Sequence, residues 1–186
     1  MKKKEELHTE NKKVIGIGGG GSNIVESLSN QYESLIINSD KKALEQKKVK
    51  NKIHLEKPDN LGCGSNEKCG FSLITEDVLN QIDNFVNENL SVTIIATLGG
   101  GVGSGSTKAI AEHLSNKNIL VKCVLVKPFS WEGSKKSNRA NETIEFLKQL
   151  ENVSIIEIEN DELKSFEHLS MKESFNLLNN KINLMI

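Results

Sequence analysis

The stretch Val92-Thr-Ile-Ile-Ala-Thr-Leu-Gly-Gly-Gly-Val-Gly-Ser-Gly105 decides the fold. Its first half, Val92–Leu98, is a continuous apolar run, as expected of a strand buried on both faces of a parallel sheet. Its second half places five glycines in the seven residues Gly99–Gly105. The pattern after it, Ser106–Ser115, reads as a helix. A strand, a glycine loop and a helix in that order bring bare backbone N–H groups and the positive end of a helix up to an anion.

The same cycle repeats on either side. Upstream, Lys13–Ile17 reads as a strand, Asn23–Asn30 as a helix, Ser34–Asn38 as a strand, Lys41–Gln46 as a short helix and Lys52–Leu55 as another short strand. A loop over Glu56–Asn66 follows. Apolar residues then recur at Phe71, Ile74, Val78, Ile82 and Phe85, a helical stripe running from about Glu67 to Val86. Downstream come a strand over Ile119–Val126, a loop over Lys127–Gly133, a helix over Ser134–Leu150 and a strand over Val153–Ile158. The last segment, Ser170–Ile186, carries Met171, Phe175, Leu178, Ile182 and Met185 at helical spacing and shows no stop signal at its end. This alternation predicts an α/β fold, a Rossmann-like parallel sheet flanked by helices on both faces.

Composition narrows the function. The chain has 186 residues, 37% of them hydrophobic and 26% charged, with a formal net charge of −1. A protein that holds nucleic acid by its phosphates needs a basic face, which this balance does not offer. No run approaches the ~20 apolar residues of a membrane span, and the Lys-rich start lacks the apolar region of a signal peptide. The expected location is cytoplasmic, without direct membrane binding. Cys63, Cys69 and Cys123 are odd in number and contain no CxxC pair, so the expectation is three reduced thiols and no metal site.

Chemistry in such sheets sits at the carboxyl ends of the strands. Three glycine-rich loops fall there: Gly16–Ser22, Leu61–Asn66 and Gly99–Gly105. Gly16, Gly18 and Gly21 alone fit the GxGxxG dinucleotide fingerprint, with Asp40 near the end of the next strand as a ribose-binding acid. That reading, an NAD-dependent oxidoreductase, leaves Gly99–Gly105 unexplained. Three loops supply the donors that a nucleoside triphosphate needs. Ser106 follows Gly105 where a P-loop has Lys, so the phosphates must rest on backbone nests.

VIGIGGGGSN, IINSDKKAL, LGCGSN, LGGGVGSG, VKPFSWEG and IEIENDEL, in that order and at those intervals, resemble the nucleotide-binding domain of the FtsZ family, the bacterial tubulin homologues of cell division. The most specific element is the tubulin-type GGGTGTG, here Gly99–Gly105. The resemblance implies GTP or GDP as ligand, with Mg2+ able to accompany GTP. It implies that Gly18, Gly19, Gly20, Gly21, Ser22 and Asn23 form the first phosphate and guanosine loop, followed by the pair Asn38 and Asp40. Gly62, Gly64, Ser65 and Asn66 resemble the loop that closes over the γ-phosphate. Gly100, Gly101, Val102, Gly103, Ser104 and Gly105 resemble the signature cradle. Glu132 is similar to the ribose-contacting acid, and Phe175 and Asn179 to the residues that stack on and read the base. The ordinary alternative for Phe175 is a core position in its helical stripe.

The departures from the family pattern are specific. Val102 replaces the first signature Thr and removes a hydroxyl, while Ser104 replaces the second and keeps one. Lys136 stands where the family usually has Arg, keeping the charge and losing the planar fork. Glu67 and Glu159 stand at positions where the family has Pro. The resemblance divides the chain into a polar tail (1–12), a GTP-binding domain (13–169) and the start of a central helix (170–186). The second domain and its acidic catalytic loop are expected to be absent, leaving no catalytic residue to assign and an exposed apolar end at INLMI. On this reading hydrolysis requires a full-length FtsZ-like subunit to supply the acid. A filament-capping module without hydrolysis and a non-binding relic are the alternatives.

Overall fold

The computed structural model describes residues 12–57, 62–87, 89–166 and 169–186. Residues 1–11 of the polar tail and 58–61 of the first long loop lie outside the described residues. Six strands form one sheet in the order β3-β2-β1-β4-β5-β6, with every neighbouring pair parallel. They are β1 (Lys13–Ile17), β2 (Glu33–Asn38), β3 (Asn51–His54), β4 (Ser91–Thr97), β5 (Leu120–Lys127) and β6 (Val153–Glu159). β1 and β4 lie at the centre, with Ile15 opposite Leu35 on one side and Ile94 on the other. Between them the chain changes direction across the sheet, which opens a crevice at their carboxyl ends.

Alternation along the strands feeds two cores. Ile15, Ile17, Leu35 and Ile94 point to the face covered by α4 (Glu76–Val86), α5 (Gly101–Asn116) and α6 (Ser134–Leu147). Val14, Ile36, Ile95 and Val124 point to the other, covered by α1 (Gly18–Leu28), α2 (Lys41–Glu45) and α7 (Met171–Asn183). Both faces are therefore apolar, as the unbroken run in β4 implies.

Four sequence expectations need correction. The glycines of the first and third loops are largely helical: α1 begins at Gly18 and α5 at Gly101. Glycine is a poor helix former in isolation, and here packing overrides that preference. The long stripe after Asn66 is two helices, α3 (Glu67–Ser72) and α4. Thr75 caps α4 by accepting the Val78 N–H, and Phe71 is exposed rather than part of the stripe. The apolar end is mostly covered: Ile182 and Ile186 are buried in the second core, and of that segment Leu184 alone among its large apolar side chains is strongly exposed.

The fourth correction concerns the thiols. Cys63 and Cys69 are joined in a disulfide, their Cα atoms 5.9 Å apart, and Cys123 alone is free. The sequence offered no CxxC because the bridge spans six positions, from the loop after β3 into the first turn of α3.

α3 rests on the start of α5 with almost nothing between the two backbones. A Cβ on Gly105 would collide with the Glu67 carbonyl, and one on Gly101 would stand 2.6 Å from the Asn66 carbonyl oxygen. Ser106 Oγ donates to the Gly70 carbonyl at 2.8 Å across the same contact.

Candidate nucleotide site

A cleft of about 610 Å³ opens at the carboxyl ends of β1 and β4. That volume suits a nucleotide-sized ligand. Its walls come from the start of α1, the end of β2, the loop before α3, the start of α5, the turn after β5, and α7.

At one end, Gly18, Gly19, Gly20 and Asn23 meet Gly100, Gly101, Val102 and Gly103. The first N–H groups of a helix have no acceptor within it, so two helix starts direct donors and partial positive charge into this end. Gly62 and Gly64 line the same end, and the Gly64 carbonyl accepts the Gly101 N–H at 2.7 Å. Positive side chains are balanced locally. Lys136 Nζ lies 2.7 Å from Glu132 Oε2, and Lys127 Nζ lies 2.7 Å from Glu159 Oε1. Backbone N–H groups are therefore the main uncompensated donors this end offers.

At the other end Phe175 and Asn179 occupy successive turns of α7 and both line the cleft. Phe175 is 39% exposed, whereas Leu178 and Ile182 on the same helix are buried. Its ring is thus presented at the cleft rather than spent on the core. Between the two ends stands Glu132. Burial acts to raise its pKa, but the Lys136 ammonium and the Phe129 N–H, 2.9 Å from Oε1, together hold the carboxyl below the usual range.

Other residues with expected site roles lie elsewhere. Gly21 faces β4, where a Cβ would collide with the Ile95 carbonyl. Ser104 Oγ, fully buried, accepts the Gly99 N–H at 3.0 Å and shapes the signature turn. Gly105 seats α3. Asp40 caps α2 through the Ala43 N–H at 3.0 Å, and Asn66 caps α3 through the Cys69 N–H at 3.1 Å. Ser65 and Asn66 border a separate, shallower depression. Ser22 is buried beneath the cleft. Asn38 does line it, with Oδ1 accepting the Ser39 N–H at 2.9 Å.

The cleft is also lined by residues to which no sequence motif assigns a role, Ser39, Cys63, Thr97, Lys127 and Asn160 among them. Most stand at or just beyond the carboxyl end of a strand, the position that signals them. Arg139, the single Arg of the chain, donates to the Gly99 carbonyl from one turn beyond Lys136. Ser22 Oγ and Asn160 Oδ1 are buried polar atoms that lack a hydrogen-bond partner among the described residues. Asn160 is also among the residues that line the cleft.

A fully parallel sheet of this order, with glycine-started helices at its switch point and an aromatic side chain opposite them, defines a nucleotide-binding α/β domain. Comparison with known proteins narrows the class. Residues 11–167 match the Tubulin/FtsZ family, GTPase domain, and the chain belongs to that family. It is 36% identical over 171 residues to the cell division protein FtsZ of Aquifex aeolicus, covering 88% of this chain and 46% of that protein. It is 32% identical over 172 residues to the FtsZ of Mycoplasmopsis pulmonis, covering 90% and 44%. The chain thus spans less than half the length of these relatives. Among solved structures, the empty FtsZ dimer of M. jannaschii superposes with a TM-score of 0.81 at 29% identity, covering 94% of this chain and 52% of that one.

Proposed function

We propose that this chain is the nucleotide-binding domain of an FtsZ-type cell-division protein and that its cleft binds GTP and GDP. The observation that carries the reading is the convergence of two glycine-started helices at one end of a single cleft with Phe175 and Asn179 at the other. Phosphates rest on the N–H groups at the starts of α1 and α5. The ribose lies near Glu132. The base stacks on Phe175, with Asn179 at its edge. Mg2+ accompanies GTP as a counter-ion to the phosphates.

Hydrolysis in this proposal needs a second subunit. Among the described residues lining the cleft the one carboxylate is Glu132, and it is engaged by Lys136 and the Phe129 N–H. The acid that orients water is therefore contributed by a neighbouring FtsZ-like subunit in a filament, with backbone donors on this side stabilising the phosphoryl charge. A cytoplasmic location and the division of the chain into a tail, a GTP-binding domain and the start of a central helix belong to the same proposal. Among the described residues no helix is long and apolar enough to cross a membrane.

Thermal unfolding with GTP, GDP, ATP and NAD tests the reading. A ligand at a hundred times its Kd stabilises by about 2.7 kcal/mol. Stabilisation by GTP and GDP is expected, and a response to NAD alone rejects the proposal. GTP turnover is then measured with and without added full-length FtsZ. An increase beyond the sum of the separate rates supports the shared site, and no change at any ratio rejects it.

A further inference from the structure

The Cys63–Cys69 bridge lies in the wall of the cleft and plays no part in the binding just described. Cys63 lines the cleft and is 8% exposed. Its N–H donates to Ser39 Oγ at 3.2 Å, its carbonyl accepts the Asn66 N–H at 3.0 Å, and its neighbour Gly64 accepts the Gly101 N–H at 2.7 Å. Cys69 is half-buried on α3, whose backbone is seated on α5. The bridge therefore ties the loop that faces the phosphate end to the helix that supports the signature. Without it, two flexible glycines flank Cys63, and among the described residues hydrogen bonds such as these and that from Lys57 Nζ to the Gly62 carbonyl remain to hold the loop. Cys123 is buried in β5, and burial pushes its thiol up to about 12, so it stays out of thiol exchange.

We propose that Cys63 and Cys69 are a reversible redox pair that sets the nucleotide affinity of the cleft, the disulfide form binding nucleoside triphosphate more tightly than the dithiol form. This rests on the nucleotide reading of the cleft. The oxidant is a small disulfide, RSSR. The more accessible Cys69 thiolate attacks one of its sulfurs, forming a mixed disulfide and expelling RS⁻. The Cys63 thiolate then attacks Cys69 Sγ, breaking the mixed bond and expelling the second RS⁻. The protons of the two protein thiols end on two RSH, and two electrons pass from the pair to RSSR. The bridge pre-organises the loop, so less order is lost when nucleotide binds.

The test uses the full chain equilibrated in reduced or oxidised glutathione, with free thiols counted after denaturation and the affinity for a non-hydrolysable GTP analogue measured in each state. One free thiol is expected after oxidation and three after reduction, with affinity weaker by about tenfold in the reduced state. Reciprocally, saturating analogue makes the pair harder to reduce, a tenfold difference corresponding to about 30 mV. C69S is expected to lose the response to oxidant, and C123A to keep it. Three free thiols in the oxidised state, equal affinities, or tighter binding by the dithiol form overturn the proposal while leaving the nucleotide reading intact. Binding in neither state overturns that reading, and this proposal with it.

Discussion

The two ends of the cleft are closed by different kinds of structure. Where β1 and β4 end, the walls are largely backbone: glycine-rich helix starts, pressed against the central strand and against α3. On the α7 side the wall includes two side chains, Phe175 and Asn179, on a helix whose buried Leu178 and Ile182 join the core that α1 also fills. The first end is fixed by the same contacts that hold the fold together. At the second, Phe175 can be altered while the buried Leu178 and Ile182 stay in place. Damage at one end should therefore appear as lost stability, and damage at the other as lost affinity.

The largest effect is expected at the backbone end. In Gly21→Ala the new methyl meets the Ile95 carbonyl of β4, which cannot rotate away. Alanine contributes up to about 1 kcal/mol in helix propensity, against about 1–3 kcal/mol for overpacking. A rigid obstacle puts the cost at the upper end, so a net loss of about 2 kcal/mol is expected. For a chain of this size that lowers Tm by roughly 4–8 °C, read by thermal unfolding without nucleotide. An unchanged Tm would show that the two ends are not built differently after all.

Phe175→Ala should do the reverse. A base stacked on an aromatic ring is worth about 1–3 kcal/mol, so guanine-nucleotide affinity should fall by about tenfold or more. Stability of the free chain should change by no more than about 0.5 kcal/mol, as for a surface site. Truncation of a core Phe would instead cost about 3–5 kcal/mol. A titration paired with nucleotide-free unfolding separates the two, and a large stability loss with affinity intact would reassign Phe175 to the core.

The smallest effect belongs to Glu132, between the ends. Its carboxyl titrates below the unfolded value, so its contribution is present above the unfolded carboxylate range and is lost as pH falls through the folded value. Both partners of its ion pair are partly solvated, which limits the contribution to less than about 1 kcal/mol. Tm measured from pH 7 to pH 3 should fall more steeply for the wild type than for Glu132→Gln. Parallel curves would show that the pair contributes nothing to stability.

The sheet was legible because burial on both faces leaves a direct trace, an unbroken apolar run such as β4. The glycine segments were legible as sites and misread as loops, because glycine's weak helix propensity hides a helix that is held by its neighbours. Thr75, followed by Glu76 and Asp77, carries the start signal of α4, but the apolar spacing from Phe71 to Phe85 runs through it without a break. The disulfide left no local trace, since its two cysteines are brought together by the turn between them. Asp40 and Asn66 show the other limit: a motif position does not reveal that its side chain also caps a helix.

The seat of α3 on α5 has a mechanical meaning. Most contacts between helices are cushioned by side chains, which take up small displacements by changing rotamer. Here Gly101 and Gly105 of α5 meet the peptide groups of α3 directly, and there is nothing between them to yield. A push on α3 is therefore delivered undamped to the first turn of α5, and the donors at that turn cannot shift without carrying α3 along.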